Sequence, residues 1–367
     1  MTPTMAADCA ERVAAVLAQM PDPSGGTTVA DLERELADAF GVPHAVAVSS
    51  GTAALHAALS ACDIGPGDEV LVPALSVVMT VAPLVALGAT PVFIDSEPTT
   101  LDLDYEDATR KVTARTRAIM PVHLWGRMTD PTMLAQFADT HGLTVIEDAA
   151  QAVGTVRSGQ RAGTVGAVGC FSMKDGKILW SGEGGFLLAS RREIAEHAAA
   201  YRSHWQTPPS GSAPLTRLTT NSRLAAPLAA IARSNLDQLT ALVTLRQRQT
   251  RQLLAALETV PALSVLTPTA DEQWNGYSPL LHLDLPHPRE FAAYLACQGV
   301  PNSTGSFRLV PCDTRPMFRG LGRPCRGAAH ILDHTLAVIL TEHDTDAVLD
   351  HYADTIVQAA ASWPRTA

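Results

Sequence analysis

Two lysines stand close together in a chain where lysine is scarce, and one of them is placed to act as a nucleophile. Lys174 and Lys177 lie between an apolar run and a glycine cluster that starts at Gly182. A lysine in a partly dry site loses its proton more readily than one in water, and the neutral amine can form an imine with an aldehyde or ketone. Glycines just after it let backbone approach a ligand closely. The competing interpretation is a solvated turn with two surface lysines.

A carboxylate stands at the end of another apolar run. Residues Leu143 to Glu147 have the pattern of a buried strand, and Asp148 follows directly. Strand and helix patterns alternate around it, which predicts a parallel sheet with helices on both faces. Ligands bind at the C-terminal edge of such a sheet, so Asp148 is a candidate site residue. The competing interpretation is a helix N-cap.

A third candidate is the turn Ser50-Gly51-Thr52. It lies between a predicted strand, His44 to Ser49, and an Ala/Leu-rich helix, Ala53 to Ala61. Such a turn leaves unpaired N–H groups and the positive end of the helix dipole at one point, which suits a phosphate. On its own this is a weak signal, because many such turns bind nothing.

Taken together, the three stretches resemble a known family. In their order and distances, Val48 to Leu55, Val145 to Ala152 and Cys170 to Gly185 resemble the pyridoxal-phosphate sugar aminotransferases of the DegT/DnrJ/StrS family. The resemblance runs from about Asp31 to the C-terminal helix. It implies the α/β fold of the aspartate aminotransferase type (fold type I), with a mostly parallel sheet in a large domain and a smaller α+β C-terminal domain.

The resemblance implies pyridoxal 5'-phosphate as the cofactor and selects one of the two lysines. The family pattern reads Phe-Ser, four residues, Lys, four residues, Gly-Glu-Gly-Gly. From Phe171 and Ser172 the count reaches Lys177, and counting back from Gly182 gives the same residue. Lys177 is therefore expected to hold the cofactor covalently, and Ser172 to bind its phosphate.

The same resemblance assigns roles to residues in the other two stretches. Asp148 would face the pyridine nitrogen and keep it protonated, which makes the ring an electron sink. Gln151 would hydrogen-bond the ring hydroxyl, and Gly51 and Thr52 would bind the phosphate. Relatives usually carry an aromatic residue at Val77, where it stacks on the ring. Here either Val77 packs on the ring less tightly or another residue supplies the stack.

A motif further along the chain bears on assembly. The segment Thr220-Asn221-Ser222-Arg223 resembles the family's Asn-x-Arg motif, whose asparagine touches the cofactor phosphate of the neighbouring subunit. If Asn221 does this, each active site needs two chains. A homodimer is therefore expected.

Two other glycine and lysine motifs fail on spacing. A P-loop has four residues between its glycines before Gly-Lys-Ser/Thr, whereas six separate Gly169 from Gly176, and Ile178 follows the lysine. A dinucleotide-binding fingerprint would open a helix after the first strand, and the sequence has none there.

Length and composition set outer limits. A chain of 367 residues predicts two domains: residues 1–245 as the large cofactor-binding domain, with an N-terminal arm at 1–30, and residues 246–367 as the small domain. A net charge of −10 argues against nucleic acid as a partner. The six cysteines show no C-x-x-C pair, which fits reduced thiols in a cytoplasm, and no metal site is predicted. No export signal or membrane-spanning run is evident.

Some features carry weaker expectations. His123 could face the site, although a satisfied structural histidine is the commoner case. A long helix is expected from the Asn221 motif to about Leu239. The loop Thr207 to Pro214 could cover an opening. Arg315 and Arg319 could meet an acidic substrate group, although surface positions are commoner.

These observations predict an aminotransferase that moves an amino group from glutamate or glutamine to a cyclic ketone in secondary metabolism. The acceptor stays open between a ketocyclitol and a nucleotide-linked keto sugar. Two alternatives remain: a dehydratase and aromatase of the 3-amino-5-hydroxybenzoate synthase type, and a cofactor-binding regulator without turnover.

Overall fold

The computed structural model describes residues 9–20, 26–206, 211, 213–214 and 218–364. The helices are α1 Cys9–Gln19, α2 Thr28–Phe40, α3 Gly51–Ala61, α4 Val78–Ala86, α5 Tyr105–Lys111, α6 Pro131–His141, α7 Arg192–Tyr201, α8 Ala226–Leu236, α9 Leu239–Leu257, α10 Pro288–Cys297, α11 Arg326–His334 and α12 Asp346–Ser362. The strands are β1 His44–Val48, β2 Glu69–Pro73, β3 Thr90–Ile94, β4 Thr116–Ile119, β5 Thr144–Asp148, β6 Val156–Arg157, β7 Gln160–Arg161, β8 Val168–Ser172, β9 Gly185–Ala189, β10 Leu263–Leu266, β11 Glu272–Gln273, β12 Leu280–Leu283 and β13 Thr335–Ala337.

The main sheet of the described residues has seven strands in the order β1-β9-β8-β5-β4-β2-β3. Strands β3, β2, β4, β5 and β8 pair in parallel, and β9 runs antiparallel to both of its neighbours. The predicted α/β class with a mostly parallel sheet is confirmed. Because the parallel strands share a direction, their C-terminal ends meet at one edge.

Helices cover both faces of this sheet, and strand β1 shows why. Val46 and Val48 belong to one hydrophobic cluster, whereas Ala47 between them belongs to another. Successive side chains of a strand point to opposite faces. A strand buried on both faces has to be apolar throughout, which is the pattern read from the sequence.

The C-terminal part builds a second, antiparallel sheet in the order β10-β12-β13. Its core includes Leu281, Phe291 and Ile356, which come from β12, α10 and α12. Helix α9 reaches this core at Leu253 and begins before residue 245, so one helix crosses the predicted domain limit. The division into residues 1–245 and 246–367 stays a prediction.

Most predicted elements occur within a few residues of their expected limits. The helix expected after the Asn221 motif is α8, which ends at Leu236, three residues before the expected limit. Helix α1 packs against α8, with Cys9 fully buried.

Most of the loop Thr207 to Pro214, which was expected to cover an opening, lies outside the described residues. Among the helices that the structure describes, none combines the length and the apolar character that a bilayer crossing requires.

Candidate active site

Three strand ends meet at the candidate turn Ser50-Gly51-Thr52. Val48 of β1 pairs with Gly185 of β9, and Gly185 pairs with Ser172 of β8. A Cβ atom added to Gly185 would lie 2.5 Å from the carbonyl oxygen of Ser50. A glycine is therefore required at position 185, and the close approach it allows is to the backbone of the turn.

The turn and Ser172 form a cradle for an anion. Ser50 caps α3, since its Oγ accepts a 3.1 Å hydrogen bond from the amide of Ala53. As the first two residues of α3, Gly51 and Thr52 have amides without intrahelical acceptors. A Cβ atom on Gly51 would lie 2.8 Å from Cβ of Ser172, so only glycine lets the helix end reach this serine. The structure thus brings the three predicted phosphate ligands together.

Asp148 lies at the C-terminal end of β5 and is buried. Its Oδ2 accepts a 2.6 Å hydrogen bond from Oγ1 of Thr80, and its Oδ1 accepts one of 3.1 Å from the amide of Ala150. Thr80, a fully buried residue of α4, was not predicted from the sequence. The carboxylate is therefore held from two sides in a fixed orientation.

A buried thiol lies next to this carboxylate on the adjacent strand. Cys170 of β8 pairs with Asp148 of β5. Burial raises the pKa of the Cys170 thiol, and the nearby Asp148 charge raises it further. Cys170 is therefore a neutral thiol that fills space and does not compete as a nucleophile.

Gln151 is oriented by Trp125, which lies in the turn Leu124–Gly126 between β4 and α6. Its Oε1 accepts a 2.6 Å hydrogen bond from the amide of Trp125. Because a backbone amide only donates, this contact fixes the oxygen end of the side chain and leaves the Nε2 end as a donor. A donor is what the predicted contact with a ring hydroxyl requires.

Val77 is the N-cap residue of α4 and is half-buried against the hydrophobic cluster that contains Val46 and Val48. Its carbonyl accepts a 3.0 Å hydrogen bond from the amide of Thr80, so Val77 lies one turn from the residue that holds Asp148. Cys312 covers this segment, with its amide bonded to the carbonyl of Ala74. The stacking role of Val77 stays a prediction.

The two lysines differ in exposure. A turn closes between the carbonyl of Lys174 and the amide of Lys177, with Gly176 at φ +83° in its third position, where a left-handed residue is required. Lys174 is exposed, whereas Lys177 is half-buried and is followed by the buried Ile178. This geometry favours Lys177 over Lys174 as the amine that faces a ligand.

The amine of Lys177 meets a residue that the sequence did not reveal. Its Nζ lies 3.5 Å from the phenol oxygen of Tyr277 and 5.0 Å from the centre of the ring. The same segment contacts the site at a second point, since Asn275 Nδ2 donates a 2.8 Å hydrogen bond to the carbonyl of Gln151. One short stretch therefore touches both Lys177 and Gln151.

His123 has a structural role, as the preferred interpretation expected. Its Nδ1 accepts a hydrogen bond from the amide of Thr129, so its Nε2 carries the proton donated to Glu147 at 2.9 Å. Glu147 is fully buried and also accepts bonds from the amides of Gly163, Val165 and Gly166. The pair anchors the chain between β5 and β8, and its hydrogen bonds indicate a structural role.

Asn221 lies beside the phosphate cradle at the surface. Its side chain is exposed, and its Oδ1 accepts a 3.4 Å hydrogen bond from the amide of Arg223. The carbonyl of Ser222 accepts a hydrogen bond from the amide of Ser49, which precedes the turn. Asn221 is thus next to Ser222, the residue bonded to the chain between β1 and α3. The contact of Asn221 with a second chain stays a prediction.

The two arginines of the C-terminal segment differ in exposure. Arg315 is half-buried, and Arg319 is exposed. Both follow Cys312, which contacts the segment before Val77. Their proposed contact with an acidic substrate group stays a prediction.

The residues at this edge fit a pyridine cofactor with a phosphate. The cradle of Gly51 and Ser172 offers hydrogen-bond donors to an anion, and Asp148 offers a buried carboxylate to a protonated ring nitrogen. A half-buried amine, Lys177, comes from the loop after β8. Together the fold and these residues define an α/β protein of fold type I that depends on pyridoxal 5'-phosphate.

Comparison with known proteins agrees with this class. The family model described as the DegT/DnrJ/EryC1/StrS aminotransferase family matches residues 3–357, and the chain belongs to this family. The predicted resemblance is confirmed.

Three curated relatives illustrate the range of the family. The chain is 41% identical over 185 residues to GDP-perosamine synthase of Caulobacter vibrioides, covering 50% of each chain. It is 44% identical over 185 residues to L-glutamine:2-deoxy-scyllo-inosose aminotransferase of Streptomyces kanamyceticus, covering 48% of this chain and 43% of that protein. The chain thus spans about half the length of these two relatives. A pleiotropic regulatory protein of Geobacillus stearothermophilus is 33% identical over 81% of this chain and 79% of its own.

Solved structures match almost the whole chain. DesV of S. venezuelae, solved in complex with a ketimine intermediate, has a TM-score of 0.86 and 29% identity, covering 98% of this chain and 95% of its own. A 3-amino-5-hydroxybenzoic acid synthase has a TM-score of 0.87 and 26% identity, covering 98% of each chain.

Proposed function

We propose that the protein is a pyridoxal-phosphate-dependent aminotransferase that moves an amino group from glutamine or glutamate to a cyclic ketone, a ketocyclitol or keto sugar, in secondary metabolism. The observation that carries this proposal is that three groups lie at or directly after the C-terminal ends of neighbouring strands. They are the phosphate cradle at Gly51, the fixed carboxylate of Asp148 and the half-buried amine of Lys177.

Each of these groups has a task in amine transfer. When bound, the cofactor supplies an electron sink for the charge left on the donor α-carbon. Asp148 keeps a proton on the pyridine nitrogen, and Thr80 holds the carboxylate in place for this. Lys177 Nζ serves as the base that takes the α-proton of the donor and returns a proton to the reacting carbon.

The relatives support the choice of substrates. The name of the Streptomyces kanamyceticus relative specifies glutamine as donor and a ketocyclitol as acceptor, and that of the Caulobacter vibrioides relative specifies a nucleotide-linked sugar. We place the ketocyclitol first because the identity to its aminotransferase is 44%. A nucleotide-linked keto sugar is the second candidate acceptor.

Two other functions have specific support. The solved 3-amino-5-hydroxybenzoic acid synthase favours a dehydratase and aromatase, and the Geobacillus stearothermophilus relative favours a regulator. The half-buried amine of Lys177 argues against the regulator, because a binding role alone does not need a base.

We further propose a homodimer located in the cytoplasm, with Asn221 completing the neighbouring site.

The test is an absorbance titration followed by a substrate screen. Protein loaded with cofactor is mixed with glutamine or glutamate, and conversion to the absorbance of the aminated cofactor shows the first half of an amine transfer. The aminated protein is then offered a ketocyclitol, a nucleotide-linked keto sugar and an aminoshikimate-type ketone. Restoration of the original spectrum by one ketone identifies the acceptor. Loss of water without net amine transfer indicates the dehydratase, and no spectral change with any donor contradicts the proposal.

A further inference from the structure

Tyr277 reaches the candidate site from the C-terminal part of the chain. The 3.5 Å between its phenol oxygen and Nζ of Lys177 allows a hydrogen bond with the lysine as donor. The 5.0 Å between Nζ and the ring centre is also within the range of a cation–π contact. Both interactions fix the position of the amine.

The backbone of Tyr277 is held rigidly. Its amide donates a 2.9 Å hydrogen bond to Oδ1 of Asn275, whose Nδ2 bonds the carbonyls of Gln151 and Val153. Asn275 is fully buried, so these bonds do not compete with water. The backbone of Tyr277 is therefore fixed to the same loop that carries Gln151.

Arg246 of α9 supports this segment from below. Its side chain is almost completely buried, and its Nη2 donates a 3.0 Å hydrogen bond to the carbonyl of Tyr277. Gly276 has φ +75°, and a Cβ atom there would lie 2.4 Å from the backbone of Arg246. Burying an arginine is costly unless its donors are used. Here Nε and Nη2 of Arg246 donate to the carbonyls of Gly276 and Tyr277, so the buried guanidinium holds this short segment in place.

We propose that Tyr277 is a positioning residue for Lys177: its phenol oxygen and ring hold the amine at a fixed place whenever the amine is not joined to the cofactor. This rests on the proposed function, in which Lys177 takes and returns a proton. The lysine gains a proton from the donor α-carbon, and the ammonium then donates to the phenol oxygen. The phenol keeps its own proton throughout.

The first test measures how freely the amine reacts without turnover. The full-length chain without added cofactor is labelled with acetic anhydride at one fixed pH, and the labelling of each lysine is read by mass spectrometry. In Tyr277→Phe the labelling rate of Lys177 is expected to rise by about 5-fold, because a hydrogen-bond acceptor that restrains the amine is lost. The exposed Lys174 is the internal reference and is expected to keep its rate.

A matched variant controls for the loss of a tyrosine hydroxyl. Tyr294 is partly exposed on α10 and packs against Trp363, so Tyr294→Phe is expected to change neither lysine. An unchanged labelling rate of Lys177 in Tyr277→Phe would overturn the proposal. This labelling is readable even if the chain transfers no amine, so the positioning role and the proposed function can fail separately.

A second test uses the cofactor-loaded enzyme. Tyr277→Phe is expected to lower kcat by about 10-fold with little change in KM, because the phenol touches the base and not the substrate. An equal loss in Tyr294→Phe, or a loss that appears in KM and not in kcat, would assign Tyr277 a merely structural role.

Discussion

Thr80 of α4 donates a 2.6 Å hydrogen bond from Oγ1 to Oδ2 of Asp148 at the end of β5. Both residues are buried, and they are 68 positions apart in the chain. The helix that begins beside Val77 thus fixes the carboxylate on which the proposed chemistry depends. Two substitutions separate the charge of this carboxylate from its orientation.

Replacing Asp148 with Asn keeps the size of the side chain and removes its charge. We expect turnover to fall by about 100-fold or more, because a fixed charge beside the ring nitrogen stabilises the transition state, and such electrostatic stabilisation is usually the largest contribution to catalysis. The cofactor should still attach at Lys177, which its absorbance would report. Turnover within a factor of about two of the parent would contradict the role of Asp148.

Replacing Thr80 with Val removes only the hydroxyl donor. The loss of one hydrogen bond to a charged group should lower turnover by about 10-fold, and the loss should disappear in a protein that already carries Asp148→Asn. Thr244→Val is a suitable control, since Thr244 is an exposed residue whose hydroxyl bonds the carbonyl of Thr240 in the same helix. Additive losses in the double variant would argue against a shared role.

The exchange of Asn221 between chains can be tested by complementation. Lys177→Ala and Asn221→Ala proteins are purified separately, mixed, partly unfolded and reassembled. If Asn221 serves the neighbouring site, each hybrid dimer has one intact site, and the mixture should regain about a quarter of the parent activity. If Asn221 serves its own chain, the mixture should be no more active than the average of the two variants.

A histidine cluster predicts how stability depends on pH. Burial lowers the pKa of His282, and the neighbouring His334 and His330 lower it further. The rings of His282 and His334 are stacked at 5.9 Å. Because the folded state binds this proton less readily than the unfolded state, the stabilisation is present above the ordinary histidine pKa and is lost as the pH falls through and below it.

The variant His282→Gln should therefore lose less stability than the parent when the pH is lowered. Urea unfolding at about pH 7.5 and about pH 5.5 measures this difference, since the interval spans the ordinary histidine pKa. His351→Gln, at an exposed position on α12, should behave like the parent. Equal losses in the parent and His282→Gln would show that the cluster does not titrate in this way.

The sequence predicts the sheet edge well because the information there is local. Asp148 and Ser172 each end an apolar run, and Gly51 opens a helix directly after another. In a parallel sheet such ends must meet at one edge, whatever the details of packing. The cradle and the carboxylate could thus be placed before the structure was known.

The supporting residues could not be found this way, because their contacts join distant parts of the chain. Tyr277 is 100 positions from Lys177, and Asn275 is 124 positions from Gln151. The glycines after Lys177 were expected to let the backbone approach a ligand. At Gly185 the close approach is instead to the backbone of Ser50. The end of α8 was placed three residues too late, because the turn at Asp237 carries no glycine or proline to mark it.

The central claim is that the cofactor is joined to Lys177, and chemical reduction tests it most directly. The cofactor-loaded protein is treated with borohydride, digested and analysed by mass spectrometry, with Lys174→Arg and Lys177→Arg as paired variants. We expect a phosphopyridoxyl group on Lys177 in the parent and in Lys174→Arg, and none in Lys177→Arg. A modified Lys174, or an unmodified Lys177 in protein saturated with cofactor, would contradict the account.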